Sequence, residues 1–196
     1  MGKRRLEDAI QKIDHPIEVT YRSFELDPTL ERDVKGNMYE KLAQKYGMSI
    51  EQAKANTANM VQMAKEVGLD YQMDTLILTN TFDAHRVVML AKEHGLMKEM
   101  TERILYAYFT ESKHIGDHDT LTDLAVDVGL NREDVRNMLA SDDLSREVRA
   151  DEQQAREYGI NGVPFFLINK KYALNGAQPT ETFVRALQKV IAEEQL

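Results

Sequence analysis

The chain has 196 residues, of which 42% are hydrophobic and 30% charged, and a formal net charge of −8. That length suits one domain with a sizeable core, or a small domain carrying an insertion. The acidic balance, with no basic block against it, argues against nucleic acid or an anionic membrane surface as a partner. The apolar runs are too short to span a bilayer, and the charged start Met1–Asp8 lacks the apolar stretch of a signal peptide, so a cytoplasmic protein is expected. There are no cysteines, which excludes disulfide staples, thiolate metal sites and any thiol chemistry by this polypeptide's own residues.

In chain order, residues 2–13 read as a helix with Leu6, Ala9, Ile10 and Ile13 on one face, ended by His15-Pro16. Ile17 to Phe24 alternates as a strand does. A helix followed by a strand at the start is unusual, because the common unit is strand–helix–strand; a first strand is missing. From Asn37 to Tyr158 the pattern is almost wholly helical. Met38 to Tyr46 is one helix. Ser49-Ile50-Glu51-Gln52 is a capping box opening a helix that Gly68 stops. Asn80 or Thr81 caps a helix to His94, and Leu96 to Thr110 forms another. Asp119 or Thr120 starts a helix to Val128, Asn131 caps the next, and Ser141 to Tyr158 is a long charged helix closed by Gly159. Phe165 to Ile168 is a short buried strand, Asn169-Lys170-Lys171 a turn, Tyr172 to Leu174 a second strand, and Thr180 caps a last helix through Ile191.

The stretch around which this order is arranged is Tyr158-Gly159-Ile160-Asn161-Gly162-Val163-Pro164-Phe165-Phe166-Leu167-Ile168-Asn169. A proline cannot donate to a ladder, so Pro164 fits the first strand residue or the turn before it. Gly162-Val163-Pro164-Phe165-Phe166, then a hairpin, Gly176-Ala177-Gln178-Pro179 and a closing helix, resembles the C-terminal half of a thioredoxin fold. More closely, the chain resembles the DsbA-like thiol–disulfide oxidoreductases of the FrnE-like branch. Gly2-Lys3-Arg4-Arg5-Leu6-Glu7, Arg22-Ser23-Phe24-Glu25-Leu26-Asp27-Pro28 and Asn80-Thr81-Phe82-Asp83-Ala84-His85-Arg86 carry the rest of that likeness, in the family's order.

The resemblance implies an α/β, thioredoxin-like fold with a large helical insertion, mostly helical overall: residues 1–36 and 159–196 as thioredoxin-like parts, 37–158 as the insertion. It implies a cis Val163–Pro164 bond, with Val163 offering backbone groups to an extended substrate. It also implies a first strand, central in the sheet, and a Cys-x-x-Cys just before Gly2-Lys3-Arg4-Arg5. Neither is in this chain, so truncation of a longer parent is expected ahead of a relative that lost the chemistry. No catalytic residue, metal or cofactor is assigned. Substrate binding falls to Val163 and Pro164, with His85 and Phe82 as further candidates. The bland reading of His85 and Arg86 is that they tie the helical block to the thioredoxin core. His114-Ile115-Gly116-Asp117-His118-Asp119 has metal-ligand chemistry but reads better as a loop with helix caps. Most of Met60, Met63, Met73, Met89, Met97 and Met100 read as core filling. The expected partners are a protein or peptide thiol or disulfide, a small thiol, and a second copy of the chain in a homodimer, because an absent central strand would leave edges open. The alternatives are a non-catalytic peptide- or protein-binding relative and a glutathione-dependent isomerase or transferase of the kappa-like group.

Overall fold

Polar side chains fix the starts of five helices in the computed structural model, which describes residues 1–194. Asn37 and Ser49 each form a complete capping box, opening α2 (Met38–Tyr46) and α3 (Ile50–Lys65). Asn80 Oδ1 accepts from the Phe82 N–H at 2.8 Å and opens α4 (Phe82–Glu93). Asp117, two residues before the start read from the pattern, caps α6 (His118–Asp127) through the Thr120 N–H, and Asn131 caps α7 (Arg132–Leu139). The other helices are α1 (Gly2–Gln11), α5 (Met97–Phe109), α8 (Ser145–Glu157) and α9 (Thr180–Glu194). The strands are β1 (Phe165–Ile168) and β2 (Tyr172–Asn175). The architecture is α/β and mostly helical, as expected.

The chain divides into two compact units: Met1–Thr20 with the chain from Ala155 onward, and Tyr21–Gln154. In the first, β1 and β2 pair antiparallel, Phe166 opposite Leu174 and Ile168 opposite Tyr172. Asn169 and Lys170 make the turn with φ of 49° and 55°, both in the left-handed region that a type I′ turn requires. Side chains alternate across a strand, so Phe166, Ile168 and Leu174 share one face. They pack there with Leu6, Ala9 and Ile10 of α1 and with Phe183 and Leu187 of α9. The Phe166 and Phe183 rings meet edge to face, 4.7 Å apart.

In the second unit α4 is buried nearly all round, from Ala84 to Ala91 except at His85. A helix apolar on every side belongs at a centre. Around it α5, α6 and α7 supply Met100, Ile104, Leu121, Leu124, Val135 and Leu139. A smaller cluster joins Met38, Met73 and Leu76 to Leu42, Met60 and Phe109. Met89 and Met100 are core, as read, while Met63 is exposed.

Two expectations are corrected. Ile17–Phe24 is not a strand: these residues are extended but belong to no ladder. Alternation shows only that a segment suits a pleated, half-buried surface; a neighbouring strand must supply the ladder, and side chains take that role here. The Ser23 N–H donates to Asp151 Oδ2 at 2.8 Å and the Glu25 N–H to Glu152 Oε1 at 3.4 Å. The second correction is that α8 starts at Ser145 and not Ser141. Leu144 sits at φ 63°, and the buried Arg86 guanidinium takes the carbonyls of Met138, Ser141 and Asp143. Those acceptors are withdrawn from any helix continuing through Ser141.

Candidate functional site

Gly2 opens α1 and is buried. A Cβ there would lie 2.9 Å from Pro164 Cγ and 3.0 Å from Phe166 Cζ, so only a glycine lets the start of this helix settle on the proline ring. The helix is fixed in that position by Arg5, which donates to the Ala177 carbonyl. Lys3 and Arg4 both pair with Glu7, at 2.7 and 3.1 Å. Burial alone would raise the Glu7 carboxyl, but those two cations outweigh it and hold the group below its ordinary range. The first-turn N–H groups of α1 carry the positive end of its dipole.

The Val163–Pro164 bond is cis. The Pro164 carbonyl accepts from the Gly176 N–H at 2.8 Å, which ties the turn to the end of the hairpin. Val163 is 45% exposed, and among the described residues its backbone N–H and C=O have no backbone partner. Val163 and Pro164 thus form an accessible turn beside the start of α1. An extended peptide could meet free backbone groups there.

Phe82 and His85 lie in the other unit, on the first turn of α4. The Arg149 guanidinium sits over the Phe82 ring, 4.1 Å from its centroid, and the Arg86 guanidinium lies at 6.0 Å. The His85 ring reaches the Phe24 carbonyl. Burial pushes its pKa below the ordinary 6.5, against the opposing pull of Glu152 and Asp151. Arg86 Nη1 meets Asp83 Oδ1 at 2.8 Å, and Asp83 Oδ2 also meets His118 Nε2 at 2.7 Å. His85 and Phe82 therefore share one environment, made by α8 and the 22–25 segment; Val163 and Pro164 share a different one.

The residues that sequence reasoning missed are Glu25, Arg149, Asp151 and Glu152, of which all but Arg149 are buried. Their one local signal is Glu25, a carboxylate just past the alternating 17–24 segment. The two histidines of the His114–Asp119 loop go to different carboxylates, His114 to Asp33 at 3.3 Å and His118 to Asp83. Among the described residues no three or more His, Cys, Asp or Glu side chains gather to hold a metal, and no helix is long and apolar enough to cross a membrane.

A hairpin covered on one face by two helices, with a proline turn under the start of the first, is the arrangement of a thioredoxin-like fold. The chain belongs to the DSBA-like thioredoxin domain family, which matches residues 1–188. It is similar to a probable DsbA oxidoreductase of known crystal structure from Streptomyces coelicolor, at 39% identity and a TM-score of 0.93, over 98% of this chain and 84% of that one. It is also 28% identical to the uncharacterized protein YwbO of Bacillus subtilis, over 100% of this chain and 90% of that protein. A candidate protein disulfide isomerase from Nitrosomonas europaea shares the fold, with a TM-score of 0.60 at 16% identity, over 79% of this chain and 88% of that one.

Proposed function

We propose that this chain is a relative of the FrnE-like thiol–disulfide oxidoreductases and isomerases that engages an extended thiol- or disulfide-bearing protein or peptide at Val163–Pro164, and does no dithiol exchange with its own residues. The observation that carries this is the close approach of Gly2 to Pro164 in a chain without cysteine. The start of α1 lies against the proline turn, while a cysteine thiolate, the nucleophile of disulfide exchange, is absent from the sequence. Val163 supplies the backbone donor and acceptor for the ligand, and Pro164 shapes the turn. A small thiol is a further ligand of this kind, and a second copy of the chain is the macromolecular partner proposed.

The test has two arms. Insulin reduction and refolding of a scrambled disulfide substrate should stay at the buffer rate. A cystine-containing peptide in extended form should shift the amide resonances of Val163 and its neighbours in an NMR titration. Exchange activity above buffer would overturn the first half of the proposal, and unshifted resonances around Val163 the second.

A further inference from the structure

Glu25 and Glu152 are each only 6% exposed, yet one guanidinium serves both. Arg149 Nη1 lies 2.6 Å from Glu25 Oε2 and 2.7 Å from Glu152 Oε2. Glu25 Oε1 is buried with no hydrogen-bond partner, although the two carboxyl groups are within hydrogen-bonding reach of each other. Two buried negative charges on one shared cation, with an acceptor oxygen left over, is a costly arrangement. One proton resolves it. Placed on the Glu25 carboxyl, it lets that group donate to Glu152, whose Oε1 lies 3.4 Å from the Glu25 N–H, and leaves one carboxylate for one guanidinium.

We propose that Glu25 and Glu152 hold a single proton between them, and that this acid–carboxylate pair is a pH-sensitive latch fastening the 22–25 segment to α8.

The segment has no ladder to hold it, so its amides depend on α8: Ser23 on Asp151 and Glu25 on Glu152. The other charged groups nearby are already matched. Arg22 pairs with Asp151 at 2.9 Å. From α4, Arg86 pairs with Asp83, and burial keeps His85 toward its neutral form. From α2, Lys45 faces Asp27 at 3.9 Å. Arg149 is thus the cation left for the pair. Burial, with the carboxyl of Glu152 beside it, pushes Glu25 above its ordinary 4.5 in spite of Arg149. Glu152 is also raised by burial, but Arg149 and the donated hydrogen bond outweigh that and hold it below 4.5. The native chain therefore binds more protons at Glu25 than the unfolded chain does. This stabilisation is complete below 4.5 and is lost as pH rises through the raised native value. The stabilisation from Glu152 has the opposite sense: it is present above 4.5 and lost as pH falls. The latch is tightest between the two titrations.

The test is an NMR titration of the side-chain carboxyl carbons in the full chain, with amide exchange of Ser23 followed over the same range. Glu25 should titrate above 4.5 and Glu152 below it. The protection of Ser23, corrected for intrinsic exchange, should fall about tenfold once Glu25 ionises. Glu25→Gln keeps a donor and removes the titration, so its Ser23 protection should stay level. Glu152→Gln supplies the answer if that variant fails to fold: the Glu25 midpoint should drop toward or below 4.5. Titration of Glu25 at or below 4.5 in the native chain, an unmoved midpoint in Glu152→Gln, or the same loss of Ser23 protection in Glu25→Gln would each overturn the proposal.

Discussion

Gly2 and His85 show how far single positions control this molecule. A methyl group at Gly2 would press on the Pro164 and Phe166 rings at 2.9 and 3.0 Å, and neither ring has a flexible end to swing away. Alanine is the better helix former by up to about 1 kcal/mol, but overpacking of this kind costs about 1–3 kcal/mol. Gly2→Ala should therefore lose up to about 2 kcal/mol on balance in chemical denaturation, and a gain would show that α1 stands off the proline. His85 carries a pH prediction. Its native pKa lies below the unfolded 6.5, because burial penalises the charged ring. Its contribution is complete above 6.5 and is lost as pH falls through the native value. His85→Gln keeps a donor for the Phe24 carbonyl without titrating. The stability of the native chain minus that of the variant should shrink on acidification from pH 6.5; a constant difference would sink the assignment. Sequence reasoning found both residues but not their surroundings. Glycine at a helix start and histidine in an amphipathic pattern are local features, whereas the Pro164 ring and Glu152 come from distant parts of the chain.

At the scale of elements, most helices were legible because their caps are local: Ser49 with Gln52, Asn80 with Phe82, Asn131 with Asp134. The start of α8 was not, since the side chain that decides it, Arg86, lies more than fifty positions upstream. Three backbone carbonyls and Asp83 converge on this one buried guanidinium. It closes the 141–144 turn and joins α4 to the end of α7. Arg86→Leu would keep much of the apolar stem but orphan those acceptors, and breaking a buried charged hub costs about 3–5 kcal/mol. The variant should unfold at a much lower urea concentration than the native chain, and Arg86→Lys should recover only part of the loss, because an ammonium lacks the planar fork. A loss below about 1 kcal/mol, the range of an exposed ion pair, would remove the hub from the account. The 17–24 segment failed for a related reason. Its alternation was read correctly, but a ladder belongs to two strands, and α8 carboxylates hold the amides of Ser23 and Glu25 here.

For the whole molecule, the open question is what lies along β1. Among the described residues β1 has β2 as its ladder partner and none on its other edge, and Leu167 is 41% exposed beside Val163 at 45%. A strand edge with apolar side chains is a template for another strand, and proteins normally blunt such edges with charge, a bulge or a cover. No charged side chain lies between Phe165 and Ile168 to do so. A second copy placed by a two-fold axis would pair β1 antiparallel with its own symmetry mate, residue i against j and j against i, which is the simplest closed solution. Two four-residue strands bury far less than the roughly 1,200 Å² of a stable interface, so the dimer should be weak and concentration-dependent unless neighbouring surface joins in. Light scattering over a dilution series should show the weight-average mass rising with concentration. Leu167→Lys puts a charge on the edge at a position whose side chain already meets solvent, so it should abolish the rise and leave the circular dichroism of the chain unchanged. A mass that stays at one chain throughout, or a rise that Leu167→Lys leaves intact, would exclude pairing through β1.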